Sequence, residues 1–304
     1  MKQIIVPNHG TIGERGVQLK VLFQLTTEVL QTNPEEELAV DLSQAGFYCP
    51  FLIGPLTSLL HHMKTMGRRV TYRYPPGDLG RYCGLTHAGN PIAVSQWEQG
   101  EVELRSYDHK TYIPHICFPA RESQADSRDK FITEINSLIS KQLSLLPSQK
   151  NAISLILSEM ADNISQHAST GLGYLFAQYF RNSNFMDISI VDMGIGIRGG
   201  YKKAGFPCET DKDALIMASE GFSRKTDLQG RGTGIETTRR IVLDGASGDY
   251  GQGSMYMISG NALKLFDHRN LEPVELPSPY AWPGTMLLIR LPKLPSSFDY
   301  RRFI

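Results

Sequence analysis

The chain has 304 residues, enough for one large or two ordinary domains, and its 41% hydrophobic content is enough for a substantial core. Lys+Arg and Asp+Glu both number 31, a balance that speaks against a partner recruited by overall positive charge, nucleic acid above all. The four cysteines, Cys49, Cys83, Cys117 and Cys208, are scattered without a C-x-x-C pair. That spacing speaks against a disulfide framework or a zinc site and for free thiols in a reducing compartment.

The opening stretch MKQIIVPNHGTIGERG lacks the apolar core of a signal peptide, and no segment is long and apolar enough to span a bilayer. The expectation is a cytoplasmic protein with no membrane partner. The first clear unit begins at LAVDLS (38–43), which alternates as a short strand. CPFLIGPLTSLLHHMKTMG (49–67) follows with helical apolar spacing and stops at Gly67, and RRVTYRYP (68–75) is strand-like. Together they read as β-α-β, a parallel pair with a crossover helix. PPGDLGRYCGLTHAGNP (75–91) is rich in Gly and Pro and reads as irregular, and EVELRSYDHKTYIPHICF supplies one or two further strands. The polar, aperiodic ARESQADSRDK (120–130) reads as a linker, giving a first domain over 1–122 and a second over 123–304.

The second part opens with two helical patterns. In 129–146, Phe131, Ile135, Leu138 and Ile139 form one stripe, and in 148–168 the stripe is Ile153, Ile156, Leu157, Met160 and Ile164. Strands are expected at GYLFAQYF, FMDISIVD, SMYMISG, ALKLFD and GTMLLIRLP, with a helix at GIETTRRIVLDG (234–245). Two helices against a mostly antiparallel run of strands is an α+β sandwich pattern.

Two features carry chemistry. Glu159, Asn163 and His167 recur every four residues and align on one edge of the 148–168 helix, flanking its apolar stripe. They form either a solvated polar face or the rim of a pocket between helix and sheet. The second feature is VDMGIGIRGG (191–200), where Gly194, Gly196 and Gly199 spell G-x-G-x-x-G after a strand. A dinucleotide loop needs a helix to follow at once. Gly200, Gly205 and Pro207 predict no helix there, and no amphipathic stripe returns before about Asp213, so the dinucleotide reading is rejected.

Taken in order, four segments resemble the GHKL superfamily of ATP-binding domains, which have the Bergerat fold. SEMADNISQHA resembles the N box, VDMGIGI the G1 box, GRGTGI (230–235) the G2 box, and GTMLLIRLP the last strand with its Gly-Thr. The resemblance covers about 130–293 and implies a fold, α+β with a Bergerat sandwich, and a ligand, ATP with Mg²⁺. It implies that Asp192 accepts a hydrogen bond from the adenine amine, a task a buried carboxylate can do. Gly194 and Gly196 then admit backbone close to the purine, and Ile197 lines the same loop. Asn163 offers a neutral oxygen to Mg²⁺, Glu159 acts as base toward the attacking water, and His167 stands at a variable nucleotide-contacting position. Gly230, Arg231, Gly232, Thr233 and Gly234 face the phosphates at the start of a helix. Arg224, Lys225 and Arg231 are either phosphate cations or solvated loop charges, and Thr285 bonds adenine or its ordered water.

Within the superfamily, few residues follow Thr285, against the gyrase and MutL pattern, and the 129–146 helix has no histidine, against an autophosphorylating sensor kinase. The resemblance narrows to anti-sigma-factor serine kinases and related ATP-binding regulators. The 38–75 unit loosely resembles a STAS domain, with Asp41 at the strand end and Cys49-Pro50 where a phosphorylatable serine usually stands; Ser43 lies at the strand end. The implied activity is ATP hydrolysis or phosphoryl transfer to a protein serine or threonine. The alternative is a nucleotide-gated interaction switch with little turnover, built on a polar lid over roughly 198–229. A protein partner or substrate is expected in either case, a homodimer is compatible, and no nucleic acid is expected.

Overall fold

The computed structural model describes residues 1–8, 15–44, 50–75, 91–93, 103–220, 234–245, 252–269 and 271–303. Among the described residues it is an α+β structure with two sheets. The smaller holds three parallel strands, β1 (Lys2–Ile5), β2 (Leu38–Asp41) and β3 (Val70–Arg73), in that order. Helix α1 (Arg15–Gln31) joins β1 to β2, and α2 (Pro50–Thr65) joins β2 to β3. The predicted β-α-β at 38–75 is therefore present, extended by a preceding strand and helix that were not anticipated. Gly67, at φ +92°, ends α2 in a left-handed conformation that suits glycine.

The larger sheet contains β4 (Ile92–Ala93), β5 (Tyr112–Pro119), β6 (Leu172–Phe180), β7 (Phe185–Asp192), β8 (Ser254–Gly260), β9 (Ala262–Phe266), β10 (Val274–Glu275) and β11 (Trp282–Pro292). Its spatial order is β10-β9-β8-β11-β7-β6-β5-β4, and all pairings are antiparallel except β4 with β5. Strand β11 enters between β7 and β8 and runs against both. The chain that joins β7 to β8 carries α5 (Gly196–Lys203), α6 (Asp211–Ser219) and α7 (Gly234–Asp244). Strands β4 and β5, from the N-terminal side of the 122/123 boundary, belong to this sheet.

Each face of the large sheet has its own core, as strict alternation requires. On β7, Met186, Ile188 and Ile190 pack with Leu287, Ile289 and Leu291 of β11 against α3 (Ala125–Leu143) and α4 (Pro147–His167). The stripes read from the sequence, Phe131/Ile135/Leu138/Ile139 and Ile153/Ile156/Leu157/Met160/Ile164, are all buried there. On the other face, Tyr174, Phe176, Val191, Met286 and Leu288 share a core with residues of α1, α2 and the small sheet. Helix α2 lies on β6 and β7 so closely that a Cβ on Gly54 would stand 3.0 Å from Ser189 Cβ and 3.3 Å from Phe176 Cβ. The small parallel sheet thus sits on the large one through its helices.

The stretch expected to be a linker, 120–130, is instead a 3₁₀ turn (Glu122–Gln124) leading into α3 at Ala125. Its first turns are polar because they precede the Phe131 stripe, so the apolar period that marks a helix starts late. Among the described residues, no helix is long and apolar enough to cross a membrane. Cys117 and Cys208 are buried free thiols, while Cys49 and Cys83 lie outside the described residues.

Candidate functional site

Asp192, Thr285 and Ser259 lie at three neighbouring strand ends, and the loop after Asp192 meets the residue that ends α4. Because β11 is antiparallel to β7, the start of β11 lies beside the end of β7, with Met286 opposite Val191. The end of β8 lies on the other side of β11, with Ser259 opposite Thr285. Asp192, the last residue of β7, is 3% exposed. Its Oδ1 accepts from the Gly194 N–H at 2.8 Å and from the Thr285 N–H at 3.3 Å. Burial pushes its carboxyl up to about 6, opposed by the Gly194 and Thr285 N–H groups and the Thr285 hydroxyl, which favour the carboxylate. Its main-chain oxygen accepts from the Trp282 indole N–H at 3.3 Å. Gly284 must be glycine here, since a Cβ would stand 2.9 Å from Asp192 Oδ1.

The loop after Asp192 is held along its length. Ile195 N–H donates to Ala168 O, at the end of α4, at 2.9 Å. That bond fastens the Glu159/Asn163/His167 helix to the Asp192 loop. A Cβ on Gly194 would enter the Ala168 carbonyl, so glycine at 194 is a requirement of this close approach. Gly196, at φ +67°, adopts a left-handed conformation, with its Cα close beneath Ser259. Ile197 is buried, whereas Ile195 between the two glycines is 43% exposed.

A helix does form directly after this loop, contrary to expectation. Helix α5 includes Gly199 and Gly200 because Ile197 and Tyr201, four residues apart, bury one face, and Gly199 packs under Ile195. It ends where the sequence predicted a break. Gly205 at φ +80° closes it, its N–H bonded to Lys202 O at 3.0 Å and the Phe206 N–H to Tyr201 O at 3.0 Å, a Schellman pair. The dinucleotide reading still fails, but for a different reason. That fold needs parallel neighbours around its first strand, and β7 is antiparallel to both β6 and β11. The part of the expected 198–229 lid that is described is largely helical, in α5 and α6. Helix α6 starts with a capping box in which Thr210 and Asp213 exchange hydrogen bonds at 3.0 Å.

Glu159, Asn163 and His167 lie on α4, each partly buried. Burial first, and then the neighbouring charge of Asp162, hold the Glu159 carboxyl above its ordinary value. Asp162 is itself paired with Arg128 of α3 at 2.9 Å. Gly234, the first residue of α7, lies against Glu159: a Cβ there would stand 2.9 Å from the Glu159 carboxyl carbon. The structure therefore brings Glu159 to Gly234, the end of α4 to Gly194, and Asp192 to Thr285. Arg224, Lys225, Gly230, Arg231, Gly232 and Thr233 lie outside the described residues.

Sequence reasoning missed Ser259. Its buried hydroxyl accepts from the Ile197 N–H at 2.9 Å and donates to Gly284 O at 2.9 Å. A serine ending a strand before Gly260-Asn261 reads as turn chemistry, and only the insertion of β11 places it beside the glycine loop. Among the described residues, no group of three or more His, Cys, Asp or Glu side chains could hold a metal. An Mg²⁺ site here would use the Asn163 oxygen with ligand and water oxygens, the sparse protein coordination that Mg²⁺ accepts. Comparison with family models, with curated proteins and with solved structures finds no match to this chain.

Proposed function

We propose that this is a Mg-ATP-binding regulatory protein of GHKL type that hydrolyses ATP or transfers its γ-phosphate to a protein serine or threonine. The observation that carries the reading is Asp192: a buried carboxyl at a strand end, fixed through one oxygen by the Gly194 and Thr285 N–H groups. A carboxylate fixed in this way is an oriented acceptor for an exocyclic amine. The insertion of β11 between β7 and β8 and the covering of one sheet face by α3, α4 and α7 support a Bergerat arrangement.

In this reading Asp192, Gly194, Gly196, Ile197 and Thr285 surround the base, with His167 at the rim. Gly234 and the start of α7 face the phosphates, an assignment that the sequence resemblance extends to 224–233. Asn163 holds Mg²⁺, which supplies charge neutralisation on phosphate oxygens when bound. Glu159 takes a proton from the attacking hydroxyl, and burial, which raises its carboxyl, makes it a stronger base than an exposed glutamate. The three-stranded parallel unit, with Asp41 at a strand end before α2, is consistent with a STAS-like docking module for a protein partner.

Calorimetry with ATP and Mg²⁺ tests the binding, and γ-labelled ATP, with and without cell extract, tests turnover. Binding heat that is lost in Asp192→Ala, and label or free phosphate that is lost in Glu159→Ala, are the expected results. Absence of any heat at saturating ATP and Mg²⁺ overturns the proposal.

A further inference from the structure

Helix α5 begins without a cap of its own. The residue at its N-cap is Ile195, which has no side-chain oxygen, so the first amides of the helix lack the local acceptor that Ser, Thr, Asp or Asn would provide. Ser259 supplies one from a different strand. Its hydroxyl accepts the Ile197 N–H at 2.9 Å and donates to Gly284 O at 2.9 Å, and the residue is 3% exposed. One hydroxyl therefore ties the segment after Asp192 to the residue preceding Thr285.

The consequence falls on one end of the site. Asp192 holds Gly194 directly, Ala168 holds Ile195, and Ser259 holds Ile197, so the Gly194–Ile197 turn is fixed at three of its amides. On the opposite side, Ser259 fixes Gly284, whose neighbour Thr285 completes the shell around Asp192 Oδ1. The contacts around Glu159 and Gly234 do not pass through Ser259.

Resting on the nucleotide reading above, we propose that Ser259 is a positioning residue for base recognition: it caps α5 in trans and sets how well the pocket distinguishes adenine from guanine. Such discrimination depends on polar groups held at fixed places, and freeing one wall relaxes it. The Glu159–Gly234 contact, assigned to the phosphate end in that reading, does not involve Ser259.

The test is Ser259→Ala, with Ser259→Cys as a variant that keeps a weaker donor and acceptor. Affinities for ADP, GDP and inorganic tripolyphosphate are measured with Mg²⁺ by calorimetry, and amide exchange at Ile197 is followed in the free protein. Wild type is expected to prefer ADP to GDP. In Ser259→Ala this preference falls by about tenfold, tripolyphosphate affinity stays unchanged, Ile197 exchanges faster, and Ser259→Cys lies between. An unchanged ADP-to-GDP ratio overturns the proposal, as does an equal loss for all three ligands, which marks a general structural role. Wild type that binds ADP and GDP equally overturns it while leaving nucleotide binding intact. Wild type that binds no nucleotide overturns the underlying reading as well.

Discussion

Glu159 and Gly234 lie against each other across the α4–α7 contact, the glycine Cα facing the carboxyl group with no room for a Cβ between them. The obstructing atoms belong to the far end of a flexible side chain. A methyl group at 234 would turn the carboxylate aside and leave the backbone in place.

Gly234→Ala is therefore expected to separate stability from chemistry. Alanine favours a helix over glycine by roughly 1 kcal/mol in a helix interior and less at its first residue, so thermal unfolding changes little. Turnover of ATP falls by about tenfold or more as Glu159 loses its position. A melting temperature within a few degrees of wild type together with unchanged turnover would show that the Glu159 orientation carries no chemistry.

The pH dependence of Asp192 has a definite sign. Burial raises its carboxyl from 3.8 to about 6, so between those values the folded protein holds a proton that the unfolded chain releases. Its contribution to stability is fully present below about 4 and is lost as pH rises through 6. Asp192→Asn removes this term, so the variant gains stability relative to wild type as pH rises from 4.5 to 7. The carboxylate form is also the one that accepts from an amine, so ADP binding to wild type weakens as pH falls below about 6, and the variant loses that slope. Parallel melting curves of the two proteins across this range would contradict the buried titration.

Much of this site was legible in the sequence because its parts are short and periodic. The Glu159/Asn163/His167 row follows from helical spacing, and Asp192 from strand alternation that stops at glycine. Helix α5 was not legible, since Gly199 and Gly200 mask a helix whose stability comes from Ile197 and Tyr201 packing, a tertiary effect that overrides propensity. Ser259 was not legible either, because its role depends on β11 crossing between β7 and β8. The pairing of β5 with β6 is also a long-range choice. Local pattern marked 120–130 as a linker and could not show that the strand before it belongs to the large sheet.

The fit of α2 against the large sheet gives a coupling test. A Cβ at Gly54 would intrude on Ser189 Oγ and approach Phe176 Cβ to 3.3 Å, and both neighbours stand on fixed strands. Gly54→Ala is expected to cost about 1–3 kcal/mol through overpacking, measured by urea unfolding. Adding Ser189→Ala removes the obstructing oxygen, so the double variant recovers part of the loss, with a coupling of at least about 0.5 kcal/mol. Strict additivity would mean that the two elements do not bear on each other.

The far end of the same buried face carries an ion pair. Arg290 of β11 donates to both oxygens of Asp187 on β7, at 2.7 and 2.6 Å, and its guanidinium lies 3.8 Å from the centroid of the Phe185 ring. Arg15 of α1 bonds to Ser254 nearby and adds a favourable charge to Asp187. Burial nonetheless holds the Asp187 carboxyl above its ordinary value, the cost of placing the charge between two layers. Asp187→Ala takes away the buried carboxylate that neutralises the Arg290 guanidinium, and the expected loss is about 3–5 kcal/mol. Asp187→Leu combined with Arg290→Met removes both charges and is expected to be markedly more stable than the single variant, since apolar replacement of a buried pair is often close to neutral. The pair lies at the start of β7 and the end of β11, away from Asp192, so the double variant retains ADP affinity. Loss of that affinity in a protein that melts like wild type would show that the pair acts on the site through the strands.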